Sequence, residues 1–267
     1  MTTSLTGTAL DLPVRLGRPR DPGWVRADRL LEQGSPLLEE RLRRFADRIA
    51  APSPAVAASL LLEAYAGLLA AVGFGCLLGA GVVPALAAGN VSLRIGPGGV
   101  PDLVALHERW DALDGAQAPD PDLDLDRDAL GRLARGLLDG HLGPLVARLG
   151  ELRVRRGPRA LWGLVAGGCA NALVEAAQAS GHRPERVRVL LDAFFGLPSS
   201  LLAGRVPGPP RLLAVPLDGG TRLLRKRLSC CLFYTLPGCD PCATCPMLSD
   251  ERAVERATAR LSQEAAE

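Results

Sequence analysis

Apolar residues recur at helical spacing along most of this chain and at strand spacing in only a few short runs. From Asp28 to Ala50 leucines are interleaved with charges, which predicts an amphipathic helix interrupted at Gly34-Ser35-Pro36, and Pro52-Ser53-Pro54 then punctuates the chain. Ala64 to Gly89 carries no charge at all. Its length would allow a membrane span, but Gly67, Gly73, Gly75, Gly79, Gly81 and Pro84 favour two buried helical pieces joined by a glycine-rich bend. Val91, Leu93 and Ile95 alternate with Ser92 and Arg94, predicting a strand that ends at Gly96-Pro97-Gly98-Gly99. From Asp128 a helical stripe returns through Leu130, Leu133, Leu137 and Leu138, then Leu142, Leu145, Val146 and Leu149 beyond a break at Gly140. Pro158 opens a further helix to about Ser180, and Gly181-His182-Arg183-Pro184 turns into another that reaches Phe195. Leu212 to Val215 and Leu223 to Leu228 read as paired strands about an Asp218-Gly219-Gly220 turn. Ser249 caps a closing helix with Val254, Ala257 and Leu261 on its apolar stripe. The first 25 or so residues read as irregular. The expected fold is mainly α with a few short β-strands (α+β): a helical body over 1–210 and a small C-terminal cysteine-rich module over 211–267.

Composition narrows the chemistry. With 267 residues, 48% of them hydrophobic, the chain can bury a substantial core, and a net charge of +2 gives no case for a nucleic-acid partner. The N-terminus lacks the apolar stretch of a secretory signal, and seven cysteines, an odd number, suit a reducing compartment better than a disulfide framework. The expectation is a cytoplasmic protein, with contact to the inner face of the membrane left open for 64–89. Five aspartates alternate between Asp120 and Asp128, but without the central glycine and terminal glutamate of a calcium loop they read as a solvated linker. His107, His141 and His182 share no ligand spacing and are expected at the surface or at helix ends. No G-x-S-x-G turn or Walker-type loop occurs.

The chemistry concentrates in one segment, SCCLFYTLPGCDPCATCP, where Cys230, Cys231, Cys239, Cys242 and Cys245 fall within sixteen residues. Cys242 and Cys245 form a C-x-x-C pair in a Pro- and Gly-rich turn, the spacing that lets two sulfurs converge on one metal. Cys230 and Cys231 are adjacent, so joint ligation requires a kinked backbone, because neighbouring side chains of a strand point to opposite faces. Arg227-Leu228-Ser229-Cys230-Cys231-Leu232-Phe233-Tyr234, ten residues after Cys231, then Cys242-Ala243-Thr244-Cys245-Pro246, resembles the C-terminal motif of the ferric siderophore reductase family, the FhuF-like proteins. The Leu-Pro-Gly at 236 to 238 also fits, and the stretch from Ala160 to Gly163 resembles the family body weakly. The resemblance implies a 2Fe-2S cluster bound by Cys230, Cys231, Cys242 and Cys245, and one-electron reduction of siderophore-bound Fe(III). Cys239 departs from that pattern and is read as a bystander thiol, with ligand exchange or a different cluster type as alternatives.

Two basic runs are candidate contacts for a substrate or an electron donor. Arg222, Arg225, Lys226 and Arg227 precede the first cysteines and would raise a cluster's potential or meet an acidic donor; a solvated strand face is the competing reading. Arg153, Arg155, Arg156 and Arg159 would attract an anionic ferric chelate; a helix-start surface patch competes. Without a flavin or nicotinamide signature, the electron is expected from an external donor, a ferredoxin-like protein or a reductase. The alternative function is a structural zinc-binding or iron-sulfur sensing module that binds a partner without turnover.

Overall fold

The computed structural model describes residues 12–108, 111–112, 126–198, 200–217 and 220–264. The first eleven residues, most of the aspartate run and the 218–219 turn therefore lie outside the described residues. The fold is mainly α with short strands. In chain order the elements are β1 (Val14–Leu16), β2 (Trp24–Arg26), α1 (Ala27–Leu31), α2 (Leu37–Arg48), α3 (Pro54–Ala80), β3 (Val82–Val83), β4 (Val91–Ile95), β5 (Pro101–Leu106), β6 (Asp111–Ala112), α4 (Arg127–Ala134), a π-helical stretch (Arg135–Leu142), α5 (Gly143–Glu151), α6 (Pro158–Ala179), α7 (Pro184–Phe195), β7 (Leu212–Leu217), β8 (Gly220–Arg225) and α8 (Asp250–Glu264).

The core is built on α3 and α6, which pack along one another. Both open on a proline, whose fixed φ suits the first helical turn and whose missing N–H costs nothing there. Both are long and apolar enough to cross a membrane, and both are mostly buried against the rest of the chain. The bend expected within 64–89 does not form. Helix α3 runs unbroken to Ala80 and ends on Gly81 in the left-handed region, φ 63°. Burial explains the difference: a Cβ on Gly73 would meet Leu133 at 2.8 Å, and one on Gly75 would meet Leu12 at 2.3 Å, so these glycines admit packing that offsets their weak helix propensity. The closest approach lies between Gly67 and Gly168, where a Cβ added to Gly168 would stand 2.9 Å from the Gly67 amide nitrogen.

The N-terminal strands form a four-stranded sheet in the order β1-β5-β4-β2, with β1 parallel to β5 and the other pairs antiparallel. Only β4 was expected; β5 is its hairpin partner across the Gly96–Gly99 turn, closed by a 2.9 Å bond from Gly99 N to Gly96 O. Arg94 and Asp102 tie the pair together bidentately at 2.8 and 3.1 Å. Where the sequence suggested irregular chain before Gly23, three-residue β1 is too short to show a period.

The break expected at Gly140 is a π-helical stretch instead, continuous with α4 and α5. It carries His141, which is fully buried rather than at the surface or a helix end. Its Nδ1–H donates to Leu86 O at 2.8 Å, so Nε2 accepts from the Tyr65 hydroxyl at 2.7 Å; burial holds the imidazole neutral, its pKa pulled down to about 4. His182 is also buried, and His107 bonds Ser92 Oγ at 2.8 Å.

Antiparallel β7 and β8 lie over α6, and α8 packs on β7 through a small second core of Val215, Ala257 and Leu261. Ser249 Oγ accepts from the Arg252 amide, as expected of an N-cap. Leu223 and Cys231 belong to the main core, so the cysteine segment is packed onto the body.

Replacing Gly168 with Ala should destabilise the chain by about 1–3 kcal/mol, because the methyl group meets backbone rather than a flexible side chain. The matching change Gly67→Ala, which meets nothing within 4 Å, should be neutral or stabilising by up to about 1 kcal/mol; thermal melts of the two variants check the pair.

Candidate metal centre

The site is organised by the alternation of β8. Leu223 faces the main core, and a period of two places Arg225 on the same face, with Arg227 just beyond the strand following it inward. There they meet Glu63, the only charged residue in the 27-residue helix α3. Arg225 Nη2 donates to Glu63 Oε1 at 2.9 Å, and Arg227 Nη1 to Oε2 at 2.5 Å. The side chains are 5%, 16% and 11% exposed for Arg225, Arg227 and Glu63. Lys226 points the other way, to Leu248 O at 2.5 Å and Asp250 at 2.8 Å, while Arg211 also pairs with Asp250. One carboxylate shared by two guanidiniums leaves a net positive charge in a buried place. Removing one partner of such a group typically costs about 3–5 kcal/mol.

Arg227 carries this charge to the cysteines. Its amide bonds Thr244 O at 2.9 Å, its Nε bonds Thr244 Oγ1 at 2.8 Å, and that hydroxyl lies 3.6 Å from Cys242 Sγ. The C-x-x-C turn is closed by Cys245 N to Cys242 O at 2.9 Å. On the other side β8 stops at Arg225, so the adjacent cysteines lie outside any strand, and Leu232 just after them adopts the left-handed region at φ 64°, turning the chain into a short 3-10 turn at Phe233–Thr235. Backbone N–H groups then turn to sulfur: Leu232 to Cys230 Sγ at 3.4 Å, Phe233 to Cys231 and Met247 to Cys245.

The Cys231 thiol donates to Cys242, and this hydrogen bond pulls Cys242 down to about 5, with Arg227, Thr244 and Arg225 adding to the effect against burial. The same bond, together with burial, pushes Cys231 up. Burial raises Cys245, which also senses Cys242 and Cys230. The four thiols thus share one electrostatic neighbourhood. Cys239 ends a separate turn, its amide on Leu236 O at 3.1 Å.

Arg156 joins the body to this segment. Left-handed backbone at Arg153 and Arg155 turns it inward, where its Nη2 donates to Cys230 O at 2.7 Å and Ser229 Oγ at 3.3 Å. Gly163 on α6 makes room for Ser229, since a Cβ there would stand 2.8 Å from the Ser229 Cβ. The neighbouring Trp162 lines an open cleft of about 440 Å³ with Arg159, Arg205 and Val206, and Arg205 lies 5.4 Å over the indole ring. Of the seven candidate arginines, Arg153, Arg155 and Arg159 are exposed, Arg156 holds the Cys230 backbone, Arg222 pairs with Glu175, and Arg225 and Arg227 face Glu63. The residue that sequence reasoning passed over is Glu63, and its signal was its isolation: a lone acid in an uncharged, buried helix needs a buried cation.

The family comparisons agree with this geometry. Residues 59–202, more than half of the chain, match the family described as ferric iron reductase FhuF-like transporter, and residues 227–246 match the FhuF 2Fe-2S C-terminal domain. The chain belongs to the FhuF-like ferric iron reductase family. The first match takes in Glu63 and the α3–α6 pair; the second takes in Arg227 and all five clustered cysteines. No curated protein matches the chain.

The residues present fit the 2Fe-2S cluster of this family. Such a cluster with four thiolates is anionic, and Arg225, beside Cys242, has Nε and Nη1 buried with no hydrogen-bond partner among the described residues. Among the described residues no group of three or more metal-binding side chains is gathered about one point.

Truncating Arg156 to Ala removes both of its bonds to the cysteine segment. The variant should lose about 1.5 kcal/mol of stability and open the 229–245 segment to limited proteolysis faster than the unaltered chain.

Proposed function

We propose that the chain reduces siderophore-bound Fe(III) to Fe(II) in the cytoplasm, one electron at a time, and so releases iron. The observation that carries this reading is the buried, net-positive Glu63–Arg225–Arg227 group set against Cys242 within a 2Fe-2S domain. Cys230, Cys231, Cys242 and Cys245 would hold the cluster, and Cys239 would stand by as a free thiol. Bound there, the cluster supplies reversible one-electron chemistry with no hydride or covalent intermediate. The electron comes from an external donor, a ferredoxin-like protein or a reductase. Its transfer to the chelate breaks no bond in the ligand; it lowers the charge on the metal, which the hard oxygen donors then hold less firmly.

The chain's own residues bind and orient. Arg159 and Arg205 give the cleft beside Trp162 a positive charge that suits an anionic ferric chelate, and the mostly buried Trp162 ring backs Arg205 there. Arg155 adds to the attraction from the exposed turn nearby. Arg156, two residues before Pro158 of the cleft, ties the start of α6 to the cysteine segment through Cys230 O. A helical body over 1–210 would thus present the chelate, and a module over 211–267 would deliver the electron.

Anaerobic purification with visible and electron paramagnetic resonance spectra, before and after dithionite, tests the proposal when combined with iron, sulfide and zinc analysis. The expected result is a reducible 2Fe-2S signal that a ferric siderophore reoxidises; colourless protein carrying zinc would replace the reading with a structural zinc module, and an intact cluster inert to every ferric siderophore would favour a sensing module. Cys242→Ser and Cys245→Ser should each abolish the signal, whereas Cys239→Ser should keep most of it. The pair Arg159→Ala and Arg205→Ala should raise KM for an anionic chelate about tenfold while leaving the cluster spectrum unchanged.

A further inference from the structure

Arg225 and Arg227 are oriented by a residue more than a hundred and fifty positions away in sequence, and that residue carries the opposite charge. Either guanidinium alone would favour the more negative, reduced state of a cluster beside it. Both act on Cys242, and Arg227 also acts on Cys231 and Cys245. Between them lies Glu63, whose two carboxylate oxygens are each committed to one arginine. This commitment has two effects. It cancels one of the two positive charges, and it occupies Nη2 of Arg225 while Nε and Nη1, buried in a side chain only 5% exposed, have no partner among the described residues.

We propose that Glu63 is a positioning residue that sets the reduction potential of the cluster: it holds the potential below the value the two arginines alone would impose, and it leaves the Nε–H and Nη1–H of Arg225 free to donate to sulfur. The inference rests on the ligand assignment proposed above. It also accounts for an acid being retained next to a redox centre that gains negative charge. Hard oxygen donors stabilise Fe(III) over Fe(II), so a tightly held ferric chelate accepts electrons only from a low-potential source. A cluster seated against two uncompensated guanidiniums would keep its electron; one seated against a net single charge gives it up more readily. The transfer is of one electron with no proton or leaving group, so nearby charge and the N–H groups aimed at sulfur are the protein's levers on its equilibrium.

The test is a redox titration monitored by electron paramagnetic resonance on the cluster-loaded full chain. Glu63→Gln keeps the shape and removes the charge; it should shift the one-electron equilibrium toward the reduced form by about tenfold, ~59 mV upward. Arg225→Gln should shift it downward by a similar factor. The double variant Glu63→Gln with Arg225→Gln restores the net charge but lacks the Arg225 N–H groups, so its potential should rise above that of Arg225→Gln and stay below the unaltered value by what those N–H groups contribute. An intact 2Fe-2S signal in Glu63→Gln with an unaltered or lowered potential overturns the proposal. Should Glu63→Gln alone fail to hold a cluster, the charge-balanced double variant decides: loading at a potential above that of Arg225→Gln supports the proposal, and a potential at or below that of Arg225→Gln, or failure to load, overturns it. Retention of the cluster by Cys242→Ser would instead overturn the ligand assignment, and this inference with it.

Discussion

A single carboxylate, buried on a helix that is otherwise uncharged, fixes how the two ends of this chain meet. Glu63 is largely enclosed, so its charge calls for cations brought to it, and the cations come from the strand that leads into the cysteines. The bidentate geometry therefore fixes more than distance. It orients β8 on the α3–α6 pair, and through Arg227 and Thr244 it orients the Cys242–Cys245 turn. Arg156 repeats the logic from the other side by holding the carbonyl of Cys230. The thiols are thus held between two arginine contacts that both originate outside the turn carrying the C-x-x-C pair.

The α3–α6 contact makes this arrangement possible. Gly168 stands against Gly67, one helical turn along α3 from Glu63, and the Glu63 carbonyl itself would lie 3.2 Å from a Cβ at Gly168. Backbones that approach this closely help to enclose Glu63, whose side chain is 11% exposed. The same absence of bulk lets Gly163, further toward the start of α6, receive Ser229 beside the cysteines. Small residues that look like weak helix formers in the sequence are what allow a buried, charged junction to be built on two helices.

Much of this was legible before any coordinates. The proline at 158 and the turn at 181–184 mark helix starts, the alternation at 91–95 marks a strand, and the cysteine spacing carries the family resemblance. What escaped did so for physical reasons. Helix α3 tolerates its glycines because Leu12, Leu133 and α6 pack into them, a tertiary effect that propensity does not contain. β1 and β2 are three residues each, below the length at which alternation is visible. His141 is satisfied by Tyr65 and Leu86 O from distant parts of the chain, so nothing local distinguishes it from a surface histidine. The basic run at 222–227 reads as one patch, yet the pleat sends Arg225 inward and Lys226 to Asp250, splitting the run between two sides of the strand.

The separation in sequence between Glu63 and its partners has a consequence for how the protein comes into being. Glu63 is synthesised 162 residues before Arg225 and 164 before Arg227. While the chain emerges N-terminus first, the helical body must wait with a carboxylate that has no counterion until β8 follows. The cysteines follow the arginines directly. Completion of the body and the gathering of the thiols are therefore coupled, since both wait on the same strand.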